Sequence, residues 1–351
     1  MSEPLKAAII GAGMIAQVHR RSALLAGAQM VGVLGSRPAR TAQTAAEWRT
    51  TAFDDLDALL DARPDVVHIC TPNASHARYA EAALRRGIHV VLREASRRQR
   101  RRGDPASPCS RARRDWWPPF RSMYRYHPLV REIRARRIAG EFGRWNLLHG
   151  SYLQDWLLDP AGSSWRVDPR AGGASRAFAD IGSHWCDLVE WVSARTVHIK
   201  LTARLCTVIE DSAGALWPPP SGAATDPAAR ASRVRTEDGA VVTLESATGV
   251  LANVVISQVS AGRKNRLWFE ADGAQASAVF DQENPETITL STLSDARTVV
   301  PGPSSGSAEQ RRALRLPAGH PQGYAHRLRL RSSTTRTRPS AARAQRGPSH
   351  L

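Results

Sequence analysis

Two glycines spaced one residue apart behind a short apolar run leave the N-terminal segment few ways to fold. Residues 7–16 read Ala7-Ala8-Ile9-Ile10-Gly11-Ala12-Gly13-Met14-Ile15-Ala16. Four apolar residues in a row suit a strand buried on both faces, and Met14–Ala26 reads as the helix that follows. Gly11 permits a tight turn that other residues resist. Gly13 leaves room beside the backbone, and Ala16 allows close packing of helix on strand. The alternation continues through Met30–Leu34 (strand), Pro38–Trp48 and Leu56–Asp61 (helices), Val66–Cys70 (strand), Ala77–Arg86 (helix) and Ile88–Leu92 (strand). Strands separated by helices of this length predict βαβ units and a parallel sheet.

A GxGxxA turn that follows a strand and opens a helix is the setting in which a dinucleotide pyrophosphate meets free N–H groups at a helix N-terminus. Gly11, Gly13, Met14, Ile15 and Ala16 are therefore expected to bind cofactor. The second strand ends Leu34-Gly35-Ser36-Arg37. It lacks the carboxylate that takes the ribose 2′-hydroxyl of NAD, whereas Ser36 and Arg37 suit a 2′-phosphate. The expected cofactor is NADP in preference to NAD.

The length of 351 residues corresponds to about two domains. An apolar content of 42% supplies sizeable cores and excludes wholesale disorder. No apolar run approaches the ~20 residues that span a bilayer, and the N-terminus lacks the basic start of a signal peptide. Cys70, Cys109, Cys186 and Cys206 form no CxxC pair, which fits a reducing cytoplasm. No HExxH or carboxylate–histidine pattern predicts a metal.

The net charge of +17 is concentrated in two segments. Residues 93–121 carry ten arginines against Glu94, Asp104 and Asp115, and residues 326–351 carry seven arginines and no acid. The remaining body is nearly neutral, and the arginine-rich tail lacks the interleaved aromatics of a nucleic-acid-binding surface. Past Tyr124 the pattern changes. Leu129–Ile138 and Asp180–Ser193 have helical spacing, Ala240–Leu244, Val250–Val259 and Leu267–Glu270 read as strands of an antiparallel sheet, and residues 211–230 read as a surface loop.

Further motifs are Thr71-Pro72-Asn73-Ala74-Ser75-His76, Tyr124-Arg125-Tyr126-His127-Pro128, Gly172-Gly173, Asp180-Ile181-Gly182-Ser183-His184-Trp185-Cys186-Asp187 and Ala261-Gly262-Arg263-Lys264-Asn265. Together with the glycine turn, over residues 5–92 and 124–325, the chain resembles the Gfo/Idh/MocA family of oxidoreductases. The resemblance implies an α/β architecture, in which an N-terminal Rossmann dinucleotide-binding domain precedes a C-terminal α/β domain with a large open antiparallel sheet. It implies hydride transfer between a nicotinamide cofactor and a carbinol carbon of a sugar, cyclitol or related compound, and a homodimer or homotetramer. Domain limits of 1–127 and 128–325, with a basic tail at 326–351, follow.

Oxidising an alcohol needs a base for its hydroxyl proton. Asp180 and His184 are four apart and would share a helix face. His184 is then the acid/base, and Asp180 orients it or holds a substrate hydroxyl. The resemblance further places Thr71, Pro72, Asn73 and His76 beside the nicotinamide, Trp165 and Arg166 at the cofactor, and Tyr126, Gln154, Trp156 and Lys264 at the substrate.

The chain departs from the family after Val90-Val91. A Glu-Lys-Pro is due there, its lysine working beside the histidine, but the sequence reads Leu92-Arg93-Glu94-Ala95 and has no lysine between Lys6 and Lys200. One permitted coding of Leu92–Arg100, read from its second base, gives Cys-Glu-Lys-Pro-Leu-Ala-Val-Ser-Val. Arg114–Ser122 can likewise be recoded into an apolar strand. Residues 92–122 are thus expected to be a frameshifted stretch, as is the tail from His326. The chain as written is expected to bind cofactor weakly and catalyse poorly. The alternative is a non-catalytic cofactor-binding sensor or degenerate paralogue without the lysine.

Overall fold

A computed structural model describes residues 3–92, 122–159, 164–193, 198–212, 232–302 and 307–308. The arginine-rich stretch, Cys109 and the basic tail lie outside them, as does most of the expected 211–230 loop.

The first sheet contains β1 (Lys6–Ile10), β2 (Gln29–Leu34), β3 (Thr51–Phe53), β4 (Val66–Ile69) and β5 (His89–Leu92), in the order β3-β2-β1-β4-β5, with every pairing parallel. Helices α1 (Met14–Leu25), α2 (Pro38–Trp48), α3 (Leu56–Asp61) and α4 (His76–Arg85) cover it. Ile9 and Val33 pack with Ala16, Ala45 and Trp48 on one face. Ala8, Ile10, Val67 and Ile69 pack with Leu59, Leu60, Ala80 and Leu84 on the other. Burial on both faces explains why these strands are continuously apolar rather than alternating. The chain runs from β1 outward through β2 and β3, then crosses back to β4, so the strand order reverses between β1 and β4. In open α/β sheets, ligands bind beyond the strand C-termini at such a point.

Beyond it lie α5 (Pro128–Ile138), β6 (Trp145–Leu153), α6 (Pro169–Gly172), α7 (Ser183–Val192), β7 (His198–Cys206), β8 (Asp211–Ser212), β9 (Ser232–Arg233), β10 (Gly239–Ser246), β11 (Leu251–Ser257), β12 (Arg266–Gly273), β13 (Ser277–Asp281), β14 (Ile288–Ser291) and β15 (Ala296–Val299). Eight of these strands form a second sheet, ordered β15-β14-β13-β12-β6-β11-β10-β7. It is mostly antiparallel, the exception being β6 with β11, which run parallel. Leu129, Ile133, Trp185, Leu188 and Val192 of the two longer helices fill one core with Leu148, Val242, Val254, Phe269 and Phe280 of the sheet. On the opposite face Leu147, Val241, Leu251 and Val255 stay 38–47% exposed.

Two expectations are corrected here. Asp211–Ser212 pairs with Ser232–Arg233 instead of opening a loop. The helix expected from Asp180 begins as a π-helical turn, Phe178–Gly182, before becoming α-helical at Ser183.

Candidate active site

The glycine turn takes the geometry its sequence demands. Gly11 has φ +110°, its N–H donates to Leu34 O at 2.7 Å, and a Cβ there would lie 2.7 Å from Cys70 O. Gly13 is the N-cap of α1 and carries no side-chain cap, while a Cβ added to it would meet nothing within 4 Å. The α1 N-terminus therefore opens onto free space beside exposed Met14, with Ala16 buried beneath. Ser36 and Arg37 are both exposed beyond the C-terminal end of β2, and Arg37 caps α2.

Thr71, Pro72 and Asn73 follow β4, directly across the switch point. His76 is 2% exposed, and its Nε2 lies 2.7 Å from Thr71 O, while Ser75 Oγ donates to Thr71 Oγ1 at 2.7 Å. His76 thus fastens the strap from beneath. Helix α6 packs against Asn73–Ser75 and against Trp165–Val167, so the second domain meets the strap at this edge.

The residues around Asp180 are anchored by acids of the segment before β10. Glu237 Oε1 accepts from Ser175 Oγ and from the N–H groups of Arg176 and Phe178, and Arg176 pairs with the buried Asp238. Asp180, 5% exposed, receives Gln258 Nε2 at 2.9 Å, with Arg166 Nε also 2.9 Å from the same Oδ2. The Arg166 guanidinium lies between the rings of Trp165 and Trp156, at 4.5 and 4.7 Å from their centroids. Trp156 Nε1 donates to Gln154 Oε1, and Gln154 Nε2 donates to Asn265 Oδ1.

His184 sits on the first turn of α7. Its Nδ1 lies 3.1 Å from Ser122 Oγ, and its ring stands edge-on to Tyr124 with Tyr152 alongside. Tyr124 and Tyr152 share a 2.6 Å hydroxyl–hydroxyl bond, and Tyr152 donates to Asn265 Oδ1 at 2.7 Å. Asp187, one turn along α7, takes Ser122 N–H and a bidentate Arg125, which ties the Ser122–Tyr126 segment to the helix carrying His184.

The expected site residues separate into groups. Gly11, Gly13, Met14, Ile15, Ala16, Ser36, Arg37, Thr71, Pro72, Asn73 and His76 line the ends of β1, β2 and β4. Asp180, Arg166, Trp165, Trp156 and Gln154 form one connected cluster. Arg166 is turned onto Asp180, and the chain from Asp180 to His184 starts in the π-helical turn Phe178–Gly182 and enters α7 at Ser183. Tyr126 is 5% exposed and lies under Arg131 of α5, a packing position. Tyr124 is the tyrosine beside His184. Lys264 is 79% exposed and donates to Asp155 Oδ2 at 2.5 Å, a bond that holds the Asp155 carboxyl below its ordinary value. Ser122, Tyr152, Gln258 and Asn265 escaped the sequence reading because only tertiary pairing assembles them.

Two family profiles match the chain: the oxidoreductase family with an NAD-binding Rossmann fold over residues 5–93, and the GFO/IDH/MocA C-terminal domain over residues 130–279. The chain belongs to the Gfo/Idh/MocA family. The two matches leave residues 94–129 between them, which include all but the first residue of the arginine-rich 93–121 stretch. Levoglucosan dehydrogenase of Pseudarthrobacter phenanthrenivorans is 28% identical over 271 residues, 74% of this chain and 65% of its own length. The match therefore spans just under two thirds of that relative. UDP-N-acetylglucosamine 3-dehydrogenase of Acidithiobacillus ferrooxidans is 36% identical over 88 residues, 25% of this chain and 28% of its own. Among solved structures, the apo form of levoglucosan dehydrogenase superposes with a TM-score of 0.81 at 24% identity, covering 95% of this chain and 88% of the other. An inositol dehydrogenase homologue from Azotobacter vinelandii, complexed with NAD+, has a TM-score of 0.75 at 21% identity, covering 93% and 84%. At these identities the superpositions establish the fold.

Proposed function

We propose that this Gfo/Idh/MocA chain is built as an NAD(P)-dependent oxidoreductase acting on a carbinol carbon of a sugar, cyclitol or related polyol. The observation that carries this reading is the contact of α6 with both Asn73–Ser75, beyond β4 at the switch point of the open glycine cradle, and Trp165–Val167, whose Arg166 engages Asp180. The residues fit a dinucleotide, because Gly13 leaves the space a Cβ would fill and the α1 N-terminus offers its N–H groups to an anion. Ser36 and Arg37, with no carboxylate beside them, support NADP over NAD. Bound there, the cofactor supplies the hydride acceptor.

The chain's own groups handle the proton. His184, whose Nδ1 lies 3.1 Å from Ser122 Oγ, is the group that takes the substrate hydroxyl proton. Asp180, held by Arg166 and Gln258, offers its carboxyl to a second substrate hydroxyl. Trp156, Gln154, Tyr152 and Asn265 offer the apolar faces and hydrogen-bonding tips that polyols need. The names of the relatives, dehydrogenases of levoglucosan, glucosides and xylose, support that substrate class.

The family lysine has no counterpart in the described residues: Lys6 lies at the start of β1, Lys200 pairs with Glu245 and Lys264 with Asp155. That observation favours a second reading, a cofactor-binding sensor or degenerate paralogue. Frameshifting of residues 92–122 accounts for the same gap, and sequencing codons 90–125 and 320 to the stop checks it: single-base changes that restore Glu-Lys-Pro support it, and an intact frame refutes it. Replacing His184 by alanine separates the two functions. An enzyme loses NADP-linked polyol oxidation and keeps binding, whereas a sensor has no turnover to lose.

No helix among the described residues is long and apolar enough to cross a membrane. A small-molecule substrate, a cytoplasmic setting, and a homodimer or homotetramer formed through the open sheet face complete the proposal.

A further inference from the structure

The open face of the second sheet carries a cluster that the hydride-transfer reading does not use. His149 stands on β6, and Glu270 and Asp272 on β12. The antiparallel register sets His149 opposite Glu270, with Asp272 two residues along on the same face. Nε2 of His149 lies 3.7 Å from Glu270 Oε2 and 3.5 Å from Asp272 Oδ2. One ligand atom from each residue lies within 4.8 Å of the other two. Tyr152, which belongs to the His184 cluster, is three residues from His149 on the same strand and so faces the other way.

Two carboxylates held this close repel, and a cation beside them relieves the repulsion. The nearby Arg266 does not fill that role. Its Nε is 3.1 Å from Asp281 Oδ2, and its guanidinium lies over Trp268. Trp268 also contacts the His149 ring at 5.3 Å and fixes its position above the two acids. Atoms bound to one metal at 2.0–2.2 Å stand about 3.0–3.6 Å apart, so the two His149 distances already lie at or within about 0.1 Å of that range. An imidazole among the donors suits zinc-like transition ions and disfavours Mg²⁺ and Ca²⁺, which take oxygen ligands.

We propose that His149, Glu270 and Asp272 form a binding site for a divalent transition ion of the Zn²⁺ type, on the sheet face opposite His184, with water completing its coordination. The test is calorimetric titration of the tag-free, chelator-stripped full chain with ZnCl₂, repeated on His149→Ala and on Glu270→Gln. The expected result is one Zn²⁺ per chain, weakened about 100-fold in each variant, and undiminished by excess Mg²⁺. Glu270→Gln keeps the side-chain shape, so the test survives a failure of His149→Ala to fold. Absence of binding at about 100 μM free Zn²⁺, or a stoichiometric site that either variant leaves intact, overturns the proposal.

Discussion

Gly11 and Gly13 stand two positions apart and answer to different constraints. At Gly11 the positive φ and the backbone carbonyl of Cys70 leave no room for a side chain. Gly11→Ala should cost about 1–3 kcal/mol of stability, read by thermal unfolding, because neither the backbone conformation nor the carbonyl can yield cheaply. Gly13 has ordinary extended geometry and open space beyond it. Its substitution should spare the fold and damage the cradle. The cysteines offer a second contrast. Burial, with Glu190 and Asp187 nearby, pushes the Cys186 thiol up to about 12. A raised thiol value means that little thiolate exists at pH 8, and thiolate is the nucleophile. Exposed Cys206 should therefore be alkylated by iodoacetamide well before Cys186 or buried Cys70, as peptide mass mapping would show. Equal labelling of Cys186 would contradict its burial. At this scale the turn was legible from the sequence, because local geometry requires Gly11 and Gly13 follows it at the GxGxxA spacing. The Ser122–His184 contact was not, because the two residues are 62 positions apart.

Among the elements, α7 carries the site and Asp187 holds it together. Its carboxylate binds Arg125 and the Ser122 N–H, and both partners belong to the segment that presents Ser122 and Tyr124 to His184. Asp187→Ala strands a largely buried guanidinium and should destabilise the protein by about 3 kcal/mol. Circular-dichroism melting would detect this, and a change within error would remove Asp187 from that role. The short parallel strands and their helices were readable because burial on both faces and βαβ spacing leave strong local signals. Strand β3 has three residues at a sheet edge and leaves almost none. Strand β6 mixes Trp145, Asn146, His149 and Gly150, and its parallel pairing with β11 is set by topology rather than by its own pattern. The π-turn at Phe178–Gly182 left no signal in its own residues, and the Glu237 and Asp238 that anchor its start lie some 60 residues away.

At the scale of the whole molecule, one face of an eight-stranded sheet shows Leu147, Val241, Leu251 and Val255 to solvent. Leu147 pairs with Leu251 and Val241 with Val255, with the polar row Thr243, Asn253 and His149 between the two pairs, and exposed apolar side chains on a sheet face favour association. Sedimentation should give a dimer or tetramer for the full chain, and Val255→Asp should shift it toward monomer. A monomeric parent chain would contradict the assembly. The two-domain plan was legible from the change of texture near Tyr124, since parallel and antiparallel sheets bury their strands differently. The cluster on the open face was not, because His149 and Glu270 meet only through strand pairing.

The glycine turn at the β1–β4 switch point is proposed as a working nicotinamide-cofactor site. Fluorescence titration of NADPH and NADH against the full chain and against Gly13→Val tests it most directly. Weak but saturable binding that favours NADPH is expected. In Gly13→Val that binding should vanish, while stability falls by no more than about 1 kcal/mol. A folded chain that binds neither nucleotide, or a Gly13→Val variant that binds as the parent does, would contradict it.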